Sequence, residues 1–149
     1  MSMSDLESLR AHLWVLSPPC QPFTRQGHRR DVEDARAASF LRLLGKLGEM
    51  DGECVPEFIC LENVVGFEQS ETRNRMLDVF RKSGLEAVQE FILSPDQFGI
   101  PYSRPRYFCL ARKQPFSLPG TEIIRQPPCD LNTSPLDDVV TFCATFTVF

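Results

Sequence analysis

Three short stretches carry the residues whose types and spacing could do chemistry. Cys20 lies in Ser17-Pro18-Pro19-Cys20-Gln21-Pro22-Phe23-Thr24, directly after the apolar run Leu13-Trp14-Val15-Leu16. Pro18 has no N–H to give a sheet, so a strand ends before it, and Pro19 and Pro22 narrow the backbone choices around the thiol. A thiol on a stiff loop at a strand end is where an α/β protein places a nucleophile. Most free cysteines are packing residues, and the proline frame is what sets this one apart. The second stretch is Glu62-Asn63, after the apolar Phe58-Ile59-Cys60-Leu61. It offers a carboxyl for acid–base work, although a Glu there is ordinarily a solvated turn residue or a helix cap. The third is Arg104-Pro105-Arg106. Residues two apart in an extended segment face one side, so both guanidinium groups could meet one anion or one base, where a solvated loop is the plain alternative. Arg25, Arg29 and Arg30 follow Cys20 closely and add a basic loop able to meet phosphate.

These stretches need elements that bring strand ends together. Leu13–Leu16 reads as a first strand, 58–61 as a second, Ala87–Leu93 as a third and 107–111 as a fourth. A helix is predicted from Ala35, with Phe40, Leu41, Leu44 and Leu47 at helical spacing and Gly48 near its end. Ser70 is a predicted N-cap with Glu71 in the first turn, Met76, Leu77 and Phe80 form the inner face, and Gly84 ends the helix. Residues 5–11 read as a polar helix end or a linker. Beyond Arg112 the periodicity fails, and Pro115, Pro119, Pro127, Pro128 and Pro135 break up the chain before the apolar run 139–149. Strand, helix, strand, helix, strand, strand predicts an α/β sheet with parallel neighbours. Ligands of such sheets gather at the carboxyl ends of the strands, where Cys20, Glu62-Asn63 and the arginine pair would converge.

Composition limits the classes. A chain of 149 residues, 42% hydrophobic, holds one core. Its net charge of −4 argues against strong unaided binding to nucleic acid, whose affinity is mainly phosphate neutralisation, though local basic clusters can still serve. The six cysteines include no C-x-x-C pair, and His12 and His28 stand apart from all metal-ligand spacings. The N-terminus carries no apolar signal core and no run approaches membrane-spanning length. The expectation is a reduced intracellular protein without membrane contact, cytoplasmic and secondarily nuclear.

Ser-Pro-Pro-Cys-Gln-Pro-Phe, then Leu61-Glu62-Asn63-Val64-x-Gly66-Phe67-Glu68, then Gly99-Ile100-Pro101-x-Ser103-Arg104-x-Arg106-Tyr107-Phe108, resemble the catalytic-loop, Glu-Asn-Val and paired-arginine motifs of the cytosine-5 methyltransferase family, in the family's order. The phrases Cys20-Gln21-Pro22-Phe23-Thr24-Arg25, Leu93-Ser94-Pro95 and Ile100-Pro101-x-Ser103-Arg104 resemble the branch of that family that acts on tRNA. The resemblance runs from about Leu13 to Arg112. It implies that Cys20 adds to C6 of cytosine, that Glu62 serves N3, and that Arg104 and Arg106 hold the base and support the acid. It further implies that Asn63 stiffens the turn aiming Glu62, and that Gln21, Pro22 and Arg25 lie on the substrate side. S-adenosylmethionine is the implied methyl donor and an anticodon-loop cytosine of aspartate tRNA the implied target. A base in a loop leaves its stack most cheaply.

The sequence also departs from that family. It has no G-x-G, and too few residues precede the first strand for a βαβ unit holding the donor. The acidic residue for the donor's ribose, the late motif that returns beside the first strand, and the Cys-Phe-Thr signature of the tRNA branch are missing too. Tyr102 stands where a glutamine often precedes the paired arginines. Gln126-Pro127-Pro128-Cys129 mimics the catalytic loop, but no strong strand precedes it, so Cys129 reads as a decoy. The expected fold is therefore a partial, C-terminal half of a Rossmann-like methyltransferase sheet with flanking helices over 1–112, and a poorly structured tail over 113–149. Its missing strands would leave an open edge and an uncovered apolar face, which invites self-association. Two further readings stay open: a non-catalytic module that binds RNA or protein, and a piece of a DNA cytosine-5 methyltransferase.

Overall fold

Four apolar stretches pair into one sheet because each alternates or fills both of its faces with hydrophobic side chains. In the computed structural model, which describes residues 2–19, 37–114 and 122–127, these are β1 (Leu13–Leu16), β2 (Phe58–Val64), β3 (Ala87–Leu93) and β4 (Arg106–Arg112). Their order across the sheet is β1-β2-β4-β3. β1 runs parallel to β2, with Leu13 opposite Phe58 and Leu16 opposite Leu61. β4 runs antiparallel to both of its neighbours, with Glu62 opposite Phe108 and Phe91 also opposite Phe108.

The sheet is therefore mixed: the parallel neighbours that the element order predicts are β1 and β2, and β4 departs from them. The reason lies between β3 and β4. Residues 94–105 contain a single short 3-10 turn, Pro95–Phe98, and no helix to carry the chain back across the sheet. A connection without a crossover helix favours pairing of the next strand in the opposite sense. Gly99, at φ +77°, takes the left-handed backbone that turns the chain out of this 3-10 turn and towards the arginines.

Three helices accompany the strands among the described residues: α1 (Met3–Ser8), α2 (Ala38–Glu49) and α3 (Glu71–Lys82). Of the two readings of residues 5–11, α1 bears out the polar helix end over the linker. The Ser2 side chain accepts the Asp5 N–H while the Asp5 carboxylate accepts the Ser2 N–H, and this reciprocal cap starts a helix too short to stand by itself. α2 buries Phe40, Leu44 and Leu47. α3 opens on Ser70, whose Oγ accepts the Arg73 N–H at 3.0 Å and donates to the Phe67 carbonyl at 2.7 Å. Gly84, at φ +79°, follows its end.

Cross-strand partners share a face, so the register sorts the side chains. Ile59, Leu61, Tyr107, Cys109 and Ala111 face the helices and pack with Leu44, Leu47, Met76 and Phe80. Cys60, Phe91, Leu93, Phe108 and Leu110 line the opposite face, where Phe98 and Ile124 pack on them. That cover is partial. Leu13, Val15 and Phe58, on this same face at the β1 side, remain 40%, 47% and 36% exposed. Among the described residues β1 pairs on one side only, with β2. The outer side of β3 is occupied by a piece of the expected tail: Ile124 accepts from Ile92 N–H at 2.8 Å and donates to Glu90 O at 3.0 Å. Ile124 thus bridges to the edge of the sheet, while 115–121 and 128–149 lie outside the described residues.

Phe80 has no exposed surface and sits between α3 and the sheet. Phe80→Ala is expected to cost about 3–5 kcal/mol, and Ser70→Ala about 1 kcal/mol through loss of the cap. Urea titrations of the two variants beside the parent would show that order, and equal midpoints would contradict the packing described.

Candidate functional site

β2 extends three residues past the strand expected from its apolar run, so Glu62 and Asn63 are strand residues paired with β4. Strand alternation sends them to opposite faces. Glu62 stands on the partly covered face, diagonal to Arg106, because Glu62 lies opposite Phe108 and Arg106 lies opposite Val64. The Glu62 Oε1 is 3.1 Å from Arg106 Nε. Its Oε2 accepts a hydrogen bond from Ser17 Oγ at 2.7 Å. Both carboxylate oxygens are therefore held, one by a cation and one by a hydroxyl. At 34% exposure for Glu62 and 21% for Arg106, the pair is open to solvent on one side and adds at most about 1 kcal/mol to stability. Its value lies in orientation.

Asn63, on the helix side and 2% exposed, makes two bonds of its own. Its Oδ1 accepts the Val64 N–H at 2.9 Å, and its Nδ2 donates to the Pro18 carbonyl at 3.2 Å. Adjacent residues of β2 thus grip adjacent residues of the loop that leaves β1: Glu62 holds Ser17 and Asn63 holds Pro18. Asn63 is a strand residue and not part of the turn expected there, and its amide reaches across to the proline loop. Cys20 follows two residues after that grip. Cys20, Gln21, Pro22 and Arg25 lie outside the described residues, as do Arg29, Arg30 and Cys129.

The two arginines part company. Arg106 begins β4, rests on Glu62 and also donates from Nη1 to the Pro105 carbonyl at 3.0 Å. Arg104 is exposed, and its backbone N–H donates to Ser94 Oγ at 2.9 Å. The Ser94 N–H in turn reaches Gln97 Oε1 at 2.9 Å, so the 94–104 loop is closed on itself before β4 begins. Arg106 thus rests on the Glu62 carboxylate, while Arg104 is anchored through its backbone N–H and its side chain stays exposed.

Beneath the sheet lies a cluster that sequence reading missed. Glu90, 5% exposed, sits in the middle of β3 on the helix face. Arg73 Nε donates to its Oε1 at 2.9 Å, Arg73 Nη2 pairs with its Oε2, and the Tyr107 hydroxyl donates to Oε1. The signal was present: one Glu in the run Val88-Gln89-Glu90-Phe91-Ile92, at a position whose alternation turns it inward. Burial, with the neighbouring Cys109 and Glu90, pushes the Tyr107 phenol well above its ordinary value. Burial and the Glu90 charge push the Cys109 thiol up likewise. The Glu90 hydrogen bond holds Arg73 firmly protonated. Phe67 packs on Tyr107 with ring centroids 5.2 Å apart. Tyr107 is the neighbour of Arg106 in β4, so this cluster pins the strand whose first residue reaches the candidate site. Among the described residues no group of His, Cys, Asp and Glu is placed to hold a metal ion, and no helix is long and apolar enough to cross a membrane.

This arrangement joins a carboxyl, a guanidinium and a hydroxyl at the root of a cysteine loop, and the sequence profile described as C-5 cytosine-specific DNA methylase matches residues 3–136. The chain belongs to that family. It is 40% identical over 139 residues to the tRNA (cytosine(38)-C(5))-methyltransferase of Bos taurus, covering 91% of this chain and 35% of the relative. A Dictyostelium discoideum protein named DNA (cytosine-5)-methyltransferase is 44% identical over 115 residues, covering 75% and 30%. The crystal structure of a Spodoptera frugiperda DNMT2 variant superposes with a TM-score of 0.68 at 38% identity, covering 89% of this chain and 40% of that one. The Entamoeba histolytica methyltransferase EhMeth gives 0.72 at 32% identity, covering 85% and 39%. The chain spans about a third of the length of the curated relatives it matches. S-adenosylmethionine, on which the family generally depends, finds no fitting cradle among the described residues: the β2-to-α3 connection has Gly66 as its one glycine, and no G-x-G occurs in the sequence.

The raised Cys109 and Tyr107 values predict an alkaline loss of stability. Below the unfolded values both groups are protonated in either state and the burial costs nothing extra. Above about pH 8.5 for the thiol and about pH 10 for the phenol, the unfolded chain ionises while the folded chain does not. Unfolding free energy should then fall by about 1.4 kcal/mol per pH unit for each group. Urea titrations from pH 7 to 11 are expected to show this, with Cys109→Ser removing the earlier slope and Tyr107→Phe the later one. Unchanged slopes in both variants would contradict the assignment.

Proposed function

We propose that this chain carries the base-reacting side of a tRNA cytosine-5 methyltransferase site. The observation that carries the reading is the Ser17–Glu62–Arg106 contact, tied through Asn63 to the loop that leads to Cys20. The names of the mammalian relatives favour tRNA as the substrate, and the anticodon-loop cytosine of aspartate tRNA is the proposed target. C6 of an aromatic cytosine is a poor electrophile. In the proposed step the Cys20 thiolate forms a bond to C6, the ring's displaced electron pair moves towards N3, and the Glu62 carboxyl supplies N3 with a proton. Arg106 and Ser17 fix that carboxyl before the base arrives, so little ordering remains to be done at the moment of addition. Addition leaves C5 electron-rich. Once C5 carries the transferred methyl group, restoration of the ring needs loss of the C5 proton to a base, return of the N3 proton to Glu62, and departure of the Cys20 thiolate. The methyl group comes from the donor, and the described residues hold no cradle for it.

Arg25, Arg29, Arg30 and Arg104 are proposed to meet the RNA backbone, giving contact that weakens as salt rises. The base-side and donor-side parts of the work should therefore separate. The 149-residue chain is expected to bind an anticodon stem-loop weakly and to transfer no methyl group to it. Fused to a family donor-binding half and the closing late motif, it should methylate tRNA in preference to duplex DNA. In that fusion Cys20→Ala should abolish turnover. Glu62→Gln should slow it by a factor of about 10²–10⁴, since an amide cannot give the ring a proton. Preference for duplex DNA would favour the reading suggested by the Dictyostelium relative's name. Methyl transfer by the unfused chain at the rate of the fusion would overturn the separation.

The thiol offers an independent check. Cys60 and Cys109 are buried on the strands, and burial holds Cys109 protonated. Cys20 is expected to react first with limiting iodoacetamide in the folded protein, read by peptide mass spectrometry. Equal labelling of the three would remove the case for an activated nucleophile. The exposed Leu13, Val15 and Phe58 beside the β1 edge are proposed to drive pairing of two copies when the chain is expressed by itself. Sedimentation should then show a dimer that Val15→Lys disperses, and a monomer at all concentrations would refute it.

A further inference from the structure

Among the described residues, and apart from Leu9 at the end of α1, the large exposed hydrophobic side chains fall in two groups. Leu13, Val15 and Phe58 lie at the β1 side of the sheet, and Val65, Ile100 and Tyr102 lie on the segments that leave β2 and enter β4. Val65 follows Val64, the strand partner of Arg106, and Ile100 and Tyr102 lie on the segment that leads into Arg106. The chain's two tyrosines have opposite fates. Tyr107 is fully buried with its hydroxyl on Glu90, whereas Tyr102 is 54% exposed.

The backbone around Tyr102 is fixed. Its own N–H donates to the Ile100 carbonyl at 2.7 Å, and two residues later the Arg104 N–H donates to Ser94 Oγ at 2.9 Å. Pro101 and Pro105 bracket the stretch and restrict Ile100 and Arg104 to extended backbone. An exposed aromatic ring on a fixed backbone loses little conformational entropy when it makes a contact, since only its own two side-chain torsions remain to be ordered. Tyr102 is four residues from Arg106, a span of at most about 14 Å. Exposed aromatic rings interleaved with arginines are what single-stranded nucleic acid uses to find a seat: bases stack on the ring while guanidinium groups take phosphate or a second base.

We infer that Tyr102 is a stacking platform for an unpaired nucleobase next to the target cytosine in a single-stranded RNA loop, with Arg104 beside it on the backbone. This rests on the RNA reading given above and extends it to a residue outside the acid–thiol chemistry. Drawing one base towards Glu62 and Arg106 leaves its neighbour in the loop without a stacking partner, and the Tyr102 ring supplies one.

The test uses the 149-residue chain and two fluorescein-labelled RNAs with the same stem, one closed by an anticodon-type loop and one a blunt duplex. Tyr102→Ala is expected to weaken binding of the looped RNA about tenfold and to leave the duplex within about twofold. Tyr102→Phe and Tyr102→Trp, which keep a flat ring, should retain loop binding. Because the side chain is exposed, all three variants should melt with the parent. Parent-like loop binding by Tyr102→Ala would overturn the stacking inference and leave the tRNA reading standing. Equal weakening on loop and duplex would overturn it as well, since stacking needs an unpaired base. Loss confined to the loop, seen equally with loops lacking cytosine, would support stacking while counting against cytosine as the target. If the parent chain binds neither RNA, both readings fall.

Discussion

The site depends on β4 entering the sheet against the direction of its neighbours. β2 and β4 are antiparallel, so the first residue of β4 lies beside the last residues of β2, and Arg106 reaches Glu62 without any loop having to fold back. A parallel β4 would begin at the opposite end of the sheet, a strand length away, and the guanidinium and carboxyl could not meet. The reversal follows from a connection that contains a 3-10 turn and no crossover helix. Local chain economy between β3 and β4 thus decides which charged groups share a surface.

Strand alternation then divides the labour. On β2, Glu62 faces the partly covered side and Asn63 the helix side, and each takes hold of a different residue of the proline loop. On β4, Arg106 faces the site and Tyr107 faces the buried carboxylate of Glu90. Two neighbouring residues on each strand therefore join a chemical face to a structural one. The buried Arg73–Glu90–Tyr107 cluster is a costly way to fill space, because a buried carboxylate must be fully hydrogen-bonded. It fixes the height and rotation of β4 just where Arg106 emerges, as a purely apolar contact, free to slide, would not.

The sheet has unequal edges. Ile124 bonds along β3 and shields it, while β1 carries exposed Leu13 and Val15 and pairs on one side among the described residues. In a family whose relatives are about three times as long, the β1 edge and its apolar face are where the described fold is least self-sufficient. The donor cradle is wanting among the same residues, whereas the base-side groups are held by several independent contacts.

Much of this was legible in the residues themselves. The apolar run Leu13–Leu16 marked β1 to the residue and the mostly apolar stretch Ala87–Leu93 marked β3, Ser70 and Gly84 marked the ends of α3, and three ordered motifs marked the family. Those features are local: a cap, a run or a motif carries its meaning within a few residues. What only the tertiary structure decided was direction and partnership. Nothing in the order of elements says that β4 slots between β2 and β3, that Arg106 and not Arg104 meets Glu62, or that Ser17 supplies the second hold on that carboxyl. Nor does it pair Glu90 with an arginine 17 residues away and a tyrosine 17 residues on. Such contacts join positions far apart in the chain, and their geometry is set by register and by which face each strand turns inward, quantities that exist only once the sheet has formed.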